Sequence, residues 1–256
     1  MLKRAKKQRK NAIPFIYAGT GSVKNRYEAS HIQMDELWKE FDHVKTDSAA
    51  LDHFHEKIAN LKFLDPACGC GNFLIITYRE LRTLELEILK MKVSAGQRVL
   101  DISPLLKVNV EQFYGIECED FPCQIAQVGM WLIDHQMNLR VSDQFGQYYA
   151  RLPLVQSATI VHGNALRIDW ENVVPKEELS YILGNPPFIG HQWRSAEQAA
   201  DMELVFSDNS KAGKLDYVCC WYRKAIDYIT GRIGRISCIF DPVLRYRTSD
   251  NIHYVN

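Results

Sequence analysis

The sequence predicts a doubly wound α/β fold, in which helices cover both faces of a mostly parallel sheet. Short apolar, strand-like runs alternate with longer stretches of helical periodicity over most of the chain, a pattern typical of right-handed βαβ units. Acidic or polar residues and glycines directly follow several of these runs. The 256 residues, 46% of them apolar and 24% charged, are enough for one large α/β domain.

The expected elements follow from local periodicity and from turn residues. A poorly patterned basic segment at 1–30 precedes a helical lead-in at 31–60, the main α/β domain occupies 61–240, and 241–256 is an atypical tail. Within the main domain the predicted order is strand 61–64, helix 72–91, insertion 93–109, strand 112–116, helix 121–139, strands 159–161 and 181–183, helix 215–229 and strand 235–240. The helix at 121–139 carries Ile125, Val128, Leu132 and Met137 at helical spacing. Because the tail lacks a strand pattern, we expect an incomplete C-terminal edge of the sheet.

Charge and cysteine content exclude several classes of protein. Lys plus Arg and Asp plus Glu each number 31, so the formal net charge is zero, whereas tight nucleic-acid binders usually carry a basic excess. The seven cysteines form no CxxC pair, which argues against a zinc site and favours reduced thiols in a cytoplasmic protein. No apolar run approaches the length of a membrane helix, and no metal site is expected.

The first candidate binding loop is the segment Asp65-Pro66-Ala67-Cys68-Gly69-Cys70-Gly71-Asn72, which follows the first strand. In open parallel sheets, ligands bind beyond the carboxyl ends of strands near the point where strand order reverses. Gly69 and Gly71 allow the backbone to approach a ligand closely, although a purely structural turn would also explain them. Leu74 breaks the dinucleotide fingerprint, and Asp65 suits a cationic or amine-bearing ligand.

Two further strand ends carry candidate functional residues. Glu117 ends the second strand, and its carboxylate can accept both hydroxyls of a ribose, although a solvated strand end is the simpler alternative. Asn185-Pro186-Pro187-Phe188 directly follows a buried strand. The prolines fix the Asn185 amide and the Pro186 carbonyl as two acceptors for an exocyclic amine. Phe188 offers a face on which a planar base can stack.

Together these motifs resemble the amino-methyltransferases that use S-adenosylmethionine, above all the N6-adenine DNA methyltransferase domain of bifunctional restriction–modification enzymes. The resemblance extends over roughly 35–235 and implies the Rossmann-like class I methyltransferase fold. Gly163 to Leu166 is similar to the loop beside the cofactor adenine, where the family often has Asp and this chain has Asn164. The implied cofactor-binding residues are Asp65, Ala67, Cys68, Gly69, Gly71, Asn72, Glu117, Asn164 and Ala165. The implied catalytic residues are Asn185, Pro186, Pro187 and Phe188.

The resemblance implies methyl transfer to the N6 amine of adenine in duplex DNA, within a restriction–modification or host-defence system. Two alternatives stay open: methylation of a protein glutamine or an RNA amine, and a non-catalytic S-adenosylmethionine-binding fragment. The family's N-terminal Gly-x-x-Tyr-Thr segment and later strands have no match in this chain, so we expect a truncated or frame-disrupted protein. Double-stranded DNA should bind weakly unless a partner or a separate recognition domain assists.

Two other clusters are interpreted as structural. His55-Glu56 begins the HExxH zinc motif, but residue 59 is alanine, so the second ligand is absent. We therefore expect His53 and His55 to be exposed helix residues, and Cys219-Cys220 to belong to the core of a helix.

Overall fold

The computed structural model describes residues 23–94, 102–146, 157–207, 212–230 and 237–240. Two predicted regions lie outside these ranges: the basic cluster of the first ten residues and the tail at 241–256. The expectations of a missing N-terminal motif and of an incomplete sheet edge concern those regions and stay predictions. No helix in the described ranges is long and apolar enough to cross a membrane.

A parallel five-stranded sheet forms the centre of the molecule. Its strands are β1 (Phe63–Asp65), β2 (Phe113–Glu117), β3 (Thr159–His162), β4 (Tyr181–Gly184) and β5 (Ser237–Phe240). They lie in the order β3-β2-β1-β4-β5, and every neighbouring pair is parallel. The order reverses between β1 and β4, where crossovers run to opposite faces and leave a crevice for ligands.

Helices cover both faces of this sheet, as predicted. They are α1 (Val23–Val44), α2 (Ser48–Ala59), α3 (Asn72–Ser94), α4 (Asp120–Phe145), α5 (Ala196–Val205) and α6 (Cys219–Ile229). Successive strand residues point to opposite faces, so Phe63 belongs to the core beneath α3 and α4, whereas Leu64 belongs to the core beneath α6. Phe63 stacks between Phe113 and Tyr181, at centroid distances of 4.9 and 5.1 Å. The doubly wound prediction is therefore confirmed.

Several element bounds differ from those predicted. The strand β1 begins at Phe63 rather than at residue 61, and α1 begins at Val23, earlier than residue 31. Helix α6 begins at Cys219 rather than near residue 215, since the Val218 amide donates to the Asp216 side chain just before it, and a separate 3-10 turn lies at Ala212–Lys214. Cys220 is buried there, as predicted.

Helix α5 was not predicted at all, although the sequence carries its start signal. Ser195 accepts a hydrogen bond from the Gln198 amide, and the Gln198 side chain accepts one from the Ser195 amide. This reciprocal pair is a capping box, which is readable as Ser-x-x-Gln. Only two residues of the ten-residue helix, Asp201 and Met202, are buried, so its apolar periodicity is too weak to reveal it.

The prediction that His55 is exposed is wrong. His55 is completely buried, and its Nε2 lies 3.1 Å from Glu85 Oε1 on α3. The same carboxylate accepts hydrogen bonds from the amides of Lys107 and Val108. The described part of the 93–109 insertion is thus hydrogen-bonded to a buried carboxylate of the core. The same carboxylate is the polar partner that a buried imidazole needs. His53 is exposed as expected.

Helix α4 has apolar side chains on two faces, of which the sheet covers one. The buried face carries Cys123, Ala126, Met130, Ile133, Met137 and Val141. Of the four residues noted from periodicity, only Met137 is buried, whereas Ile125, Val128 and Leu132 are 38–54% exposed. Small residues allow the close approach of the buried face, since a Cβ on Gly71 would lie 3.0 Å from the Ala126 Cβ.

Candidate active site at the carboxyl edge of the sheet

All the predicted site residues follow the carboxyl ends of four adjacent parallel strands, and these ends meet at one edge of the sheet. Asp65 ends β1 and the loop to Asn72 follows it, Glu117 ends β2, Asn164 and Ala165 follow β3, and Asn185 to Phe188 follow β4. β1 and β4 are hydrogen-bonded neighbours at the switch point. The topology therefore brings the glycine loop and the Asn-Pro-Pro-Phe segment to the same crevice.

Asp65 is a buried carboxyl group with unused hydrogen-bonding capacity. Its Oδ1 accepts a hydrogen bond from the Ala67 amide at 3.0 Å, whereas Oδ2 has no hydrogen-bond partner. Burial raises the pKa of Asp65 to about 8, against the opposing effect of the Ala67 N–H. A buried carboxyl group with an unpaired oxygen indicates a site built for a donor or a cation that a ligand supplies.

Gly184, the last residue of β4, leaves room for this carboxyl group. A Cβ at Gly184 would lie 2.5 Å from Asp65 Oδ1, and the residue has φ +151°. Side-chain-bearing residues rarely adopt that conformation. The residue just before Asn185 is therefore in contact with the acidic group of the neighbouring strand.

The two predicted glycines of the loop have different roles. Gly69 has φ +54°, and no atom would lie within 4 Å of a Cβ placed on it, so its surface faces open space. Gly71 has φ +79° and packs against Ala126 of α4. The Cys68 side chain is buried, and burial raises the pKa of its thiol. Gly69 is thus the glycine that a ligand can approach, whereas Gly71 allows α3 and α4 to pack closely.

Glu117 links the loops that follow β1 and β2. Its Oε2 accepts the Gly69 amide at 2.7 Å, and its Oε1 accepts the Glu119 amide at 3.0 Å. The Cys118 thiol also donates to Oε1. A carboxylate has about four acceptor positions, so these bonds orient Glu117 while leaving capacity for a hydroxyl ligand.

Asn164 is held from both ends of its amide group. Its Oδ1 accepts the Leu166 amide at 2.9 Å, and its Nδ2 donates to Asp201 Oδ2 at 3.0 Å. Ala165, the next residue, is buried. The proposed contact between Asn164 and a cofactor stays a prediction, and the second lone pair of Oδ1 and the second N–H of Nδ2 are both left for it.

Asp201 on α5 is the site residue that sequence reasoning missed. It is 1% exposed and accepts hydrogen bonds from the Tyr217 hydroxyl (2.7 Å), Arg167 Nε (2.7 Å) and Asn164. Burial opposes ionisation, but these donors outweigh it and hold the pKa of Asp201 below its usual value. The Tyr217 amide in turn donates to the Ile189 carbonyl at 3.0 Å, so Asp201 connects the Asn164 loop to the segment after Phe188.

The Asn-Pro-Pro-Phe segment presents three of its four residues to solvent. Pro186 is buried, whereas Asn185 and Pro187 are exposed and Phe188 is 37% exposed. The Ile189 amide donates to Asp216 Oδ1 at 3.0 Å, which anchors the end of the segment. An amide group and an aromatic face are thus held open to an incoming molecule by a backbone that proline and Asp216 restrict.

A separate cavity of about 520 Å³ lies beside this segment, between α5 and the 3-10 turn at Ala212–Lys214. His191, Arg194, Met202, Glu203 and Phe206 are among its lining residues. None of the predicted site residues lines it, so the predicted chemistry belongs to the open edge of the sheet. Within the described ranges, no three His, Cys, Asp or Glu residues are grouped so as to hold a metal.

Comparison with known proteins assigns the chain to a family. The family model for the MmeI DNA-methyltransferase domain matches residues 41–240. The chain belongs to the MmeI DNA-methyltransferase domain family. That match contains every candidate site residue named above.

Two relatives support the assignment of this MmeI-type domain. The solved structure of the Type IIL restriction-modification enzyme MmeI in complex with DNA is 50% identical, with a TM-score of 0.81 over 86% of this chain. DNA methyltransferase A of Bacillus subtilis (strain 168) is 34% identical over 209 residues, which is 80% of this chain. The chain spans 29% and 23% of the lengths of these two relatives, respectively.

The residues of this MmeI-type domain fit S-adenosylmethionine. The unpaired Asp65 oxygen suits the ammonium group of the methionine part, and the open face of Gly69 leaves space for its backbone-like chain. The oriented Glu117 carboxylate suits ribose hydroxyls. These three features lie at the carboxyl ends of β1 and β2, on one side of the crevice.

Proposed function

We propose that the chain transfers a methyl group from S-adenosylmethionine to the N6 amine of adenine in duplex DNA. One observation carries the proposal: the exposed Asn185 and Phe188 follow β4 directly beside the buried Asp65 at the end of β1. An acceptor pair for an amine and a site for a cationic cofactor thus share the crevice at the switch point.

The cofactor side of the site rests on three groups. Asp65 and Glu117 would hold the ammonium and ribose ends of S-adenosylmethionine, and Gly69 would line its path between them. When bound, S-adenosylmethionine supplies an electrophilic methyl group. The hydrogen bond from the Gly69 amide to Glu117 fixes the glycine loop relative to the ribose acceptor before the cofactor binds. This preorganisation lowers the entropic cost of binding.

The target side would act by positioning the amine. The Asn185 side-chain oxygen and the Pro186 carbonyl would accept hydrogen bonds from the N6 amine, directing its lone pair towards the methyl group. Phe188, whose side chain is partly exposed, would stack on the base. Orientation and the stabilisation of positive charge developing on nitrogen would provide the rate enhancement.

The reaction requires an extrahelical base, because the N6 atom inside a duplex cannot reach such a site. DNA as substrate, a restriction–modification context and a cytoplasmic location all belong to this proposal. The family and the DNA-bound MmeI enzyme that the chain resembles support the DNA substrate and the restriction–modification context.

The test is radiolabelled methyl transfer to DNA, with the modified nucleoside identified by mass spectrometry. We expect N6-methyldeoxyadenosine as the product, and we expect Asn185→Ala to lower the rate at least ~100-fold, the scale of losing a positioning acceptor. Calorimetry should show unchanged affinity of this variant for S-adenosylmethionine. The matched control is Asn172→Ala, at an exposed asparagine of a 3-10 turn, which should behave as wild type.

The outcomes separate the alternatives. Preferred transfer to RNA or to a protein acceptor would replace DNA as the substrate. Binding of S-adenosylmethionine without transfer to any acceptor would identify the chain as a non-catalytic binding fragment. Full activity of the Asn185→Ala variant would refute the assignment of this segment.

A further inference from the structure

Trp193 is a solvent-exposed aromatic residue that the proposed chemistry leaves unused. It is 82% exposed, the largest value for any large apolar side chain in the part of the chain that the structure describes. It lies five residues after Phe188, in the loop between β4 and α5. Burying an indole removes a large apolar area from water, so an indole projecting into solvent beside a candidate active site is well suited to contact a binding partner.

The loop is rigid on both sides of Trp193. The Trp193 amide donates to the Gly190 carbonyl at 2.9 Å, which closes a tight turn. Before this turn, Ile189 is fixed through its amide to Asp216 and through its carbonyl to the Tyr217 amide. After it, Arg194 donates to the Gly213 carbonyl, and Ser195 caps α5. The exposed indole is therefore carried on a restrained backbone and is not the end of a loose loop.

The turn also keeps Trp193 near the target side of the site. Asp216 holds the Ile189 amide, so the chain between Phe188 and Trp193 has little freedom to move away from the crevice. The flanking side chains, His191 and Arg194, carry no negative charge. A planar, weakly polar group between such neighbours suits contact with stacked bases that are bordered by phosphates.

We propose that Trp193 is a positioning residue for base flipping, whose indole fills the gap that the extrahelical adenine leaves in the duplex. The inference rests on the proposed function and extends it to the position in the duplex from which the flipped base is removed. Extracting a base from the duplex costs the free energy of its stacking and pairing. An aromatic plane inserted at the vacant step restores part of this stacking and so holds the flipped state open.

The test compares methylation of duplex and single-stranded DNA of the same sequence by the full chain. Single strands need no extraction from a paired stack, so Trp193 should matter only for the duplex. We expect Trp193→Ala to lower kcat/KM on the duplex at least ~10-fold, the scale of one base–aromatic stack, and on the single strand less than about twofold. Trp193→Phe, which keeps an aromatic plane, should recover most of the duplex activity.

Matched controls separate this role from a structural one. Trp131→Ala removes a second partly exposed tryptophan, 38% exposed on α4, and should leave the duplex-to-single-strand ratio unchanged. S-adenosylmethionine affinity and the melting temperature of Trp193→Ala should equal those of wild type. A duplex with cytosine opposite each adenine, where pairing is already weak, should reduce the defect of Trp193→Ala.

Two results would overturn the inference while the proposed function survives. One is an equal loss on duplex and single strand, which would make Trp193 a general contact for nucleic acid or protein. The other is full duplex activity of Trp193→Ala. If the wild-type chain methylates neither form of DNA, the proposed function fails, and the inference fails with it.

Discussion

Asp65 is a residue at which stability and proposed function oppose each other. Its carboxyl group is completely buried, and the single hydrogen bond that it accepts, from Ala67, does not offset the cost of ionisation. The pKa of about 8 means that most molecules carry a neutral Asp65 at pH 7. A cationic ligand placed beside Oδ2 would favour the ionised form. Binding of the cofactor can therefore offset the free-energy cost of burying this group.

We expect Asp65→Asn to stabilise the protein and to weaken cofactor binding. Between the unfolded pKa of 3.8 and the folded pKa of about 8, the folded wild type binds more protons than the unfolded chain, so its stability falls as pH rises through this window. One pKa unit corresponds to about 1.4 kcal/mol, so the variant should exceed wild type by at least ~1 kcal/mol at pH 8. The difference should shrink towards pH 4.

Urea unfolding at several pH values and calorimetry with S-adenosylmethionine measure the two effects. We expect the affinity of Asp65→Asn for the cofactor to fall at least ~10-fold, since a charged partner contributes more than a neutral amide. A stability difference that does not change with pH would show that Asp65 ionises without cost in the folded protein.

A buried polar network links α2, α3, α4 and the segment at 107–108 within one hydrophobic core. Glu85 on α3 pairs with His55 on α2 and accepts the amides of Lys107 and Val108. Arg82, one turn earlier on α3, donates to the Val108 carbonyl at 2.8 Å and to Asn138 on α4 at 2.9 Å. The network fixes the position of α3, whose first turn follows the candidate cofactor loop.

Removing the carboxylate of this network should strongly destabilise the fold. Glu85→Ala would leave the backbone amides of Lys107 and Val108 without their acceptor, and it would remove the negative charge that lies 3.6 Å from Arg82 Nε. Breaking a buried pair in this way costs about 3–5 kcal/mol. Glu87→Ala, which removes a partly exposed pair with Lys90 on the same helix, should cost less than about 1 kcal/mol.

The free energy of unfolding in urea distinguishes the two variants. Similar values for Glu85→Ala and Glu87→Ala would show that the network does not hold α3 in place.

At the scale of the whole molecule, the charge balance limits the affinity for DNA. The net formal charge is zero, and the candidate site itself contains the carboxyl group of Glu117. Phosphate contacts supply most of the affinity for non-specific DNA and depend on basic residues. Sequence-specific affinity needs, in addition, side chains that reach base edges in the grooves.

We expect the chain to bind duplex DNA weakly and without sequence preference, with Kd in the range of about 10⁻⁴ to 10⁻⁶ M that is typical of non-specific binding. Fluorescence anisotropy with duplexes of unrelated sequence should give similar values. The affinity should fall steeply between about 50 and 200 mM salt. Tight, salt-resistant binding to one short sequence would reveal a recognition element within these 256 residues.

The sequence by itself determined the five strands, most of the flanking helices and the family resemblance, because short apolar runs, helical periodicity and strand-end motifs are local signals. Tertiary structure decided which side of α4 is buried, since both of its faces are apolar and only contact with β2, β3 and α3 selects one. It also decided the burial of His55 and the role of Asp201, whose partners lie 30 and 16–37 residues away in the chain. No pattern in the neighbouring sequence indicates that either residue is buried. Their polar groups form hydrogen bonds only when distant segments of the chain pack together.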